Sequence, residues 1–129
     1  MKPIRILVVD DERALAELLG ELLSSLGYEP VVCCSPVQAL ELLEEQRFDV
    51  VLSDFRMPVM NGQQFYERVN EMDPALARRM AFLTGDVIAS ETRTFLESVG
   101  NPHLRKPFRL DAVTKLVQDL LEQDEVVLA

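Results

Sequence analysis

The stretch Ile4-Arg5-Ile6-Leu7-Val8-Val9-Asp10-Asp11 is an apolar run of strand length that ends on two carboxylates. A strand with one wet face alternates apolar and polar residues, so a near-continuous apolar run points to a strand covered on both faces, as in a parallel sheet. Leu15, Leu18, Leu19, Leu22, Leu23 and Leu26 follow at helical spacing, and Gly27 ends the pattern. This is one βα unit. Asp49 to Ser53 repeats its opening, a second apolar run ending on Asp54.

The rest of the chain keeps the alternation. Glu29 to Cys34 reads as a strand; Ser35 and Pro36 read as an N-cap and first helical residue before Val37, Leu40 and Leu43. A helix is expected over Gln63–Met72, with Phe65, Val69 and Met72 inward and Pro74 closing it. Met80 to Leu83 is a strand, followed by a helix carrying Ile88, Phe95, Leu96 and Val99 that stops at Gly100. Pro102 to Leu104 is a short last strand, and Leu110, Val113, Leu116, Val117, Leu120 and Leu121 stripe a helix reaching about Gln123. Alternating strands and helices imply a doubly wound α/β fold with right-handed crossovers. Pro30 and Pro102 cannot donate ladder hydrogen bonds, which puts the second and fifth strands at the edges. That fits the doubly wound order 2-1-3-4-5, with its ligand crevice at the carboxyl ends of strands one and three.

Composition agrees with residues 1–129 forming one domain: 129 residues, 48% hydrophobic and 27% charged. No apolar run approaches the ~20 residues of a membrane span, and the start has no secretory pattern, so a cytoplasmic location without membrane contact is expected. A net charge of −9 disfavours direct nucleic-acid binding. Cys33 and Cys34 are adjacent and should point to opposite faces, which excludes a disulfide framework and a Cys-based metal site.

Functional side chains should stand just after the strands. Asp10 and Asp11 follow strand one, Asp54 strand three, Thr84 strand four and Lys106 strand five. Asp11 alone reads equally well as a helix N-cap, but joint placement at four strand ends points to a site. Carboxylates crowded into one crevice favour a hard cation with oxygen ligands, and Mg²⁺ suits two carboxylates, a backbone carbonyl and waters. A lysine ammonium and a threonine hydroxyl facing that cluster can bind phosphoryl oxygens, with Asp54 as an acyl-phosphate nucleophile.

The segment Asp54-Phe55-Arg56-Met57-Pro58-Val59-Met60-Asn61-Gly62, with the acidic pair, Thr84 and Lys106-Pro107-Phe108, resembles the receiver domain of two-component response regulators. The resemblance covers the whole chain and implies a flavodoxin-like (βα)5 fold that works in a phosphorelay. It implies a phosphoacceptor with self-catalysed phosphorylation and dephosphorylation, not an enzyme in the usual sense. It further implies that Asp54 takes a phosphoryl group from a phosphohistidine of a histidine kinase or phosphotransfer domain. Asp11, Asp54 and the Arg56 backbone carbonyl would bind Mg²⁺ directly and Asp10 through water. Lys106 would pair with a phosphoryl oxygen, aimed by a cis peptide to Pro107. Thr84 would move to the phosphoryl group, shifting the surface of the fourth helix, fifth strand and last helix, and Gly85 would leave the approach open.

His103 stands where the family commonly carries Tyr or Phe, and it is open to reading as a switch residue, a pH sensor or an exposed edge residue. Thr84-Gly85-Asp86 and Gly100-Asn101-Pro102 resemble receivers fused to hybrid sensor histidine kinases, the alternative being a free-standing receiver. Output is then expected through a downstream protein or the attached kinase domains, with no DNA-binding domain after the last helix. Arg56 and Asp86 are expected to flank the path of hydrolytic water and act as a gate. A haloacid-dehalogenase-type phosphatase uses similar groups but needs a general acid at position 56, where this chain has Arg56. A degenerate receiver serving only as a docking surface is the third reading.

Overall fold

A computed structural model of the chain describes residues 2–85 and 90–128. The elements are β1 (Arg5–Val9), α1 (Arg13–Ser25), β2 (Glu29–Cys33), α2 (Pro36–Glu45), β3 (Val50–Asp54), α3 (Gly62–Met72), α4 (Pro74–Ala77), β4 (Met80–Thr84), α5 (Ser90–Val99), β5 (His103–Arg105) and α6 (Leu110–Leu128). The strands pair in parallel in the order β2-β1-β3-β4-β5. The prolines sit as their chemistry requires. Pro30 lies on edge strand β2 opposite Ile6, and Pro102, just before the other edge strand, contributes only its carbonyl, accepting from the Phe82 N–H.

The strand period of two divides the core between the sheet's faces. Leu7, Val9, Val51 and Phe82 pack with Ala39 and Leu40 of α2, Phe65 and Val69 of α3, and Phe95 and Leu96 of α5. Ile6, Val8, Val50, Leu52 and Leu83 meet Ala16, Leu19 and Leu23 of α1 and Val113, Val117 and Leu120 of α6. Every residue of β3 and β4 is therefore buried, which is why these strands read as unbroken apolar runs. Each fully buried Leu, Val or Phe contributes ~1.5–3 kcal/mol of transfer free energy. Edge-to-face contacts of Phe82 with Phe55 and Phe95 tie the turn after β3 to α5.

Several expectations need correction. In α1, Leu18 is exposed, as is Leu26 just past its end, and Ala16, Leu19, Gly20 and Leu23 face inward. The helix lies so close to the sheet that a Cβ at Gly20 would stand 2.8 Å from Val32 Cγ2, so small residues share the seam with Leu19 and Leu23, and Leu18 faces solvent. Val37, Met72 and Leu110 are likewise exposed rather than inward; each lies in the first or last turn of its helix, where fewer neighbours surround it. Pro74 not only follows α3 but starts α4, because the Asp73 carboxylate caps the Leu76 N–H at 3.2 Å. The second strand stops at Cys33, the fifth runs one residue later than expected, and α6 continues to Leu128. Ile88 lies outside the described residues. Cys33 is buried, Cys34 is half-buried, and both are free thiols. Among the described residues no helix is long and apolar enough to cross a membrane.

Candidate functional site

Strand register levels the carboxyl ends of the sheet. Val9 lies opposite Ser53, Asp54 opposite Leu83, and Thr84 opposite Arg105. Asp10 and Lys106, each one residue past its strand, therefore join Asp54 and Thr84 at one edge. Asp10, Asp54 and Thr84 are all buried, while Asp11 is exposed. Asp10, Asp11 and Asp54 can each place one carboxylate oxygen within 4.8 Å of the others. Lys106 Nζ lies 3.1 Å from Asp10 Oδ2 and 3.4 Å from both Asp54 Oδ1 and Glu12 Oε1.

The charges are frustrated. Burial and the neighbouring Asp10 carboxylate push Asp54 up to about 7, with Lys106 pulling the other way. Asp10 is raised as well, chiefly by burial, against the Glu12 N–H and Lys106 that favour its ionised form. Burial disfavours the Lys106 ammonium, yet its bond to Asp10 and the charges of Asp54, Asp10 and Glu12 hold it above the ordinary lysine range. One ammonium does not satisfy this many carboxylates. The all-oxygen donor set fits a hard divalent cation such as Mg²⁺, which would relieve the remaining repulsion.

The loops are held by their own bonds. The Phe55 N–H donates to Leu83 O and the Gly62 N–H to Phe55 O, at 2.9 and 2.7 Å. A Cβ at Gly62 would fall 2.9 Å from Phe55 Cα, so this turn admits only glycine. Asn61 and Gln64 close a capping box on α3. Between them and Asp54, Val59 is 91% exposed with φ of 73°, a left-handed conformation strained for a β-branched residue. On the other side the Lys106 N–H donates to Thr84 O at 2.7 Å, and the Lys106–Pro107 peptide is cis. The Thr84 hydroxyl donates to Leu104 O at 3.3 Å. His103 is exposed on β5, and Arg56 is exposed in the loop after β3. A Cβ at Gly85 would meet nothing within 4 Å. Asp86 lies outside the described residues, so the expected Arg56–Asp86 pair has only one described member.

Glu12 belongs to the site as well, through its contact with Lys106. Nothing local marks it, because its contact with Lys106 joins residues 94 apart in the chain.

The response regulator receiver domain model matches residues 6–118. This chain belongs to that family. As a receiver domain it is a phosphoacceptor rather than an enzyme that turns over a separate substrate, and its fold and carboxylate cluster fit His-to-Asp phosphorelay signalling. The family match removes the phosphatase alternative. The receiver is 32% identical to the transcriptional regulatory protein GlrR of Escherichia coli K12 over 95% of this chain and 27% of that protein. It is 37% identical to the sensor histidine kinase RcsC of Salmonella typhi over 84% of this chain and 11% of that protein. It thus spans about a quarter and a tenth of those relatives' lengths. A CheY-like receiver domain structure from Methanospirillum hungatei superposes with a TM-score of 0.85 at 26% identity, covering 96% of this chain and 98% of that one.

Proposed function

We propose that Asp54 is the phosphoacceptor and that its donor is a phosphohistidine on a histidine kinase or phosphotransfer domain. The observation that carries this reading is the buried Asp54 carboxylate, which lies 3.4 Å from Lys106 Nζ within a three-aspartate cluster. Asp10, Asp11, Asp54 and the Arg56 backbone carbonyl would hold Mg²⁺, which when bound supplies charge neutralisation for the incoming phosphoryl group. An Asp54 oxygen attacks phosphorus, the bond to the donor nitrogen breaks, and the donor imidazole leaves. Lys106 keeps its charge and stabilises the phosphoryl oxygens.

Thr84 then exchanges its bond to the Leu104 carbonyl for one to a phosphoryl oxygen. That movement frees a backbone acceptor on β5 and is the route by which the charge reaches the α5–β5–α6 surface, with His103 as the adjoining switch position. Arg56, alone or with Asp86, screens the acyl phosphate from water, so Arg56→Ala should shorten its lifetime with little change in folding stability. Residues 1–129 form the receiver unit, and the similarity to RcsC supports an origin in a hybrid sensor histidine kinase working in the cytoplasm. The similarity to the CheY-like receiver from Methanospirillum hungatei, of which this chain covers 98%, favours the second reading, a free-standing single-domain response regulator that acts by protein-protein contact.

The test is labelling with acetyl phosphate and Mg²⁺ followed by intact-mass analysis. One acid-stable, base-labile phosphoryl group is expected, and Asp54→Asn should abolish it. Equal labelling of the variant would refute the assignment.

A further inference from the structure

We propose that Glu12 is a positioning residue for the phosphoacceptor, occupying in the resting protein the Lys106 donor that a phosphoryl oxygen on Asp54 takes. This rests on the roles given above to Asp54 and Lys106. A lysine ammonium has three N–H donors, and three carboxylates surround this one: Asp10 at 3.1 Å, Asp54 at 3.4 Å and Glu12 at 3.4 Å. Asp10 and Glu12 accept its hydrogen bonds and Asp54 forms an ion pair with it, so a phosphoryl oxygen on Asp54 is a further acceptor that competes with these carboxylates for the same ammonium. Asp10 is fully buried and fixed by the Glu12 N–H at 2.9 Å, so it has nowhere to withdraw. Asp54 is the group being modified. The Glu12 side chain is 66% exposed, and water can replace the lysine around it at little cost.

Glu12 also has a second place to go. It is the N-cap residue of α1, yet its side chain makes no capping bond to that helix. Negative charge there is favoured by the helix dipole and by the free first-turn N–H groups. The resting side chain turns to Lys106 instead, and the phosphoryl dianion, by repelling Glu12 and drawing Lys106, releases it toward the helix N-terminus. Glu12 makes and breaks no covalent bond in the transfer.

Two variants of the full chain separate contact from field. Glu12→Gln removes the competing charge; Glu12→Asp keeps the charge but is one methylene too short for the contact. The probe is beryllofluoride, titrated at saturating Mg²⁺ and followed by ¹⁹F NMR. Acetyl phosphate labelling is run alongside, to show whether the concentration for half-maximal labelling falls in step. Both variants should bind the probe roughly 1.5- to 5-fold more tightly than the parent, the range set by an exposed ion pair. Unchanged or weaker binding by Glu12→Gln overturns the proposal. A gain in Glu12→Gln with none in Glu12→Asp also overturns it, since the long-range field alone would then account for the effect. If the parent neither binds beryllofluoride nor labels with acetyl phosphate, the assignment of Asp54 itself fails. A parent that labels normally beside unaltered variants sinks only the role of Glu12.

Discussion

Replacing Asp54 by asparagine should stabilise the metal-free protein, by an amount that grows with pH. The buried carboxyl titrates at about 7 against an ordinary 3.8, because burial and Asp10 both oppose its charge. Below the ordinary value it is protonated whether the chain is folded or unfolded, and it costs nothing. Between the two values the unfolded chain releases the proton while the folded one retains it, so stability falls as pH rises; above about 7 the whole cost is present. A shift of roughly three pH units corresponds to about 4 kcal/mol, which is a ceiling. The shift already contains the opposing attraction of Lys106 at 3.4 Å; because Asp10 and Lys106 readjust their charge with Asp54, about half of the ceiling is realised, a gain of about 2 kcal/mol near pH 8 and close to zero near pH 4. For a domain of this size that is a rise in Tm of about 5–10 °C. The chain has no tryptophan, so the measurement is far-UV circular dichroism melting in chelator across that pH range. A gain independent of pH, or a variant less stable than the parent near pH 8, would refute the electrostatic account.

Asp11→Ala should lose most of the Tm rise that Mg²⁺ gives the parent, while moving the melt in chelator less than Asp54→Asn does, because Asp11 is exposed; calorimetry with and without Mg²⁺ distinguishes the two effects. Gly62→Ala should cost ~1–3 kcal/mol by forcing a Cβ against the Phe55 backbone, read as a lower urea midpoint. Val59→Asn should raise stability by ~1 kcal/mol, since asparagine tolerates the left-handed backbone found there; a lower urea midpoint would mean that the valine side chain has packing its exposure does not reveal.

Much of the molecule could be read before folding was considered. The buried strands announced themselves because a strand covered on both faces has no need of alternation, as β3 and β4 are. Pro30 and Pro102 marked the edges because a missing N–H has the same consequence in any context. The aspartates, Thr84 and Lys106 could be placed at strand ends for the same local reason. Helix faces were less legible. Five leucines in the first helix exceed what one seam can bury, and the place of Gly20 in that seam came from the closeness of Val32.

What the sequence determined by itself was therefore whatever depends on neighbours along the chain: element type, the two edge strands through their prolines, and the residues delivered to the crevice. The tertiary structure alone decided how those residues interact. Lys106 is divided among Asp10, Glu12 and Asp54, and the Asp54 carboxyl is pushed up to about 7. Coulomb interaction and desolvation depend on separations of a few ångströms between groups up to 96 residues apart and on how much water the packed helices exclude. No pattern along the chain encodes those two quantities.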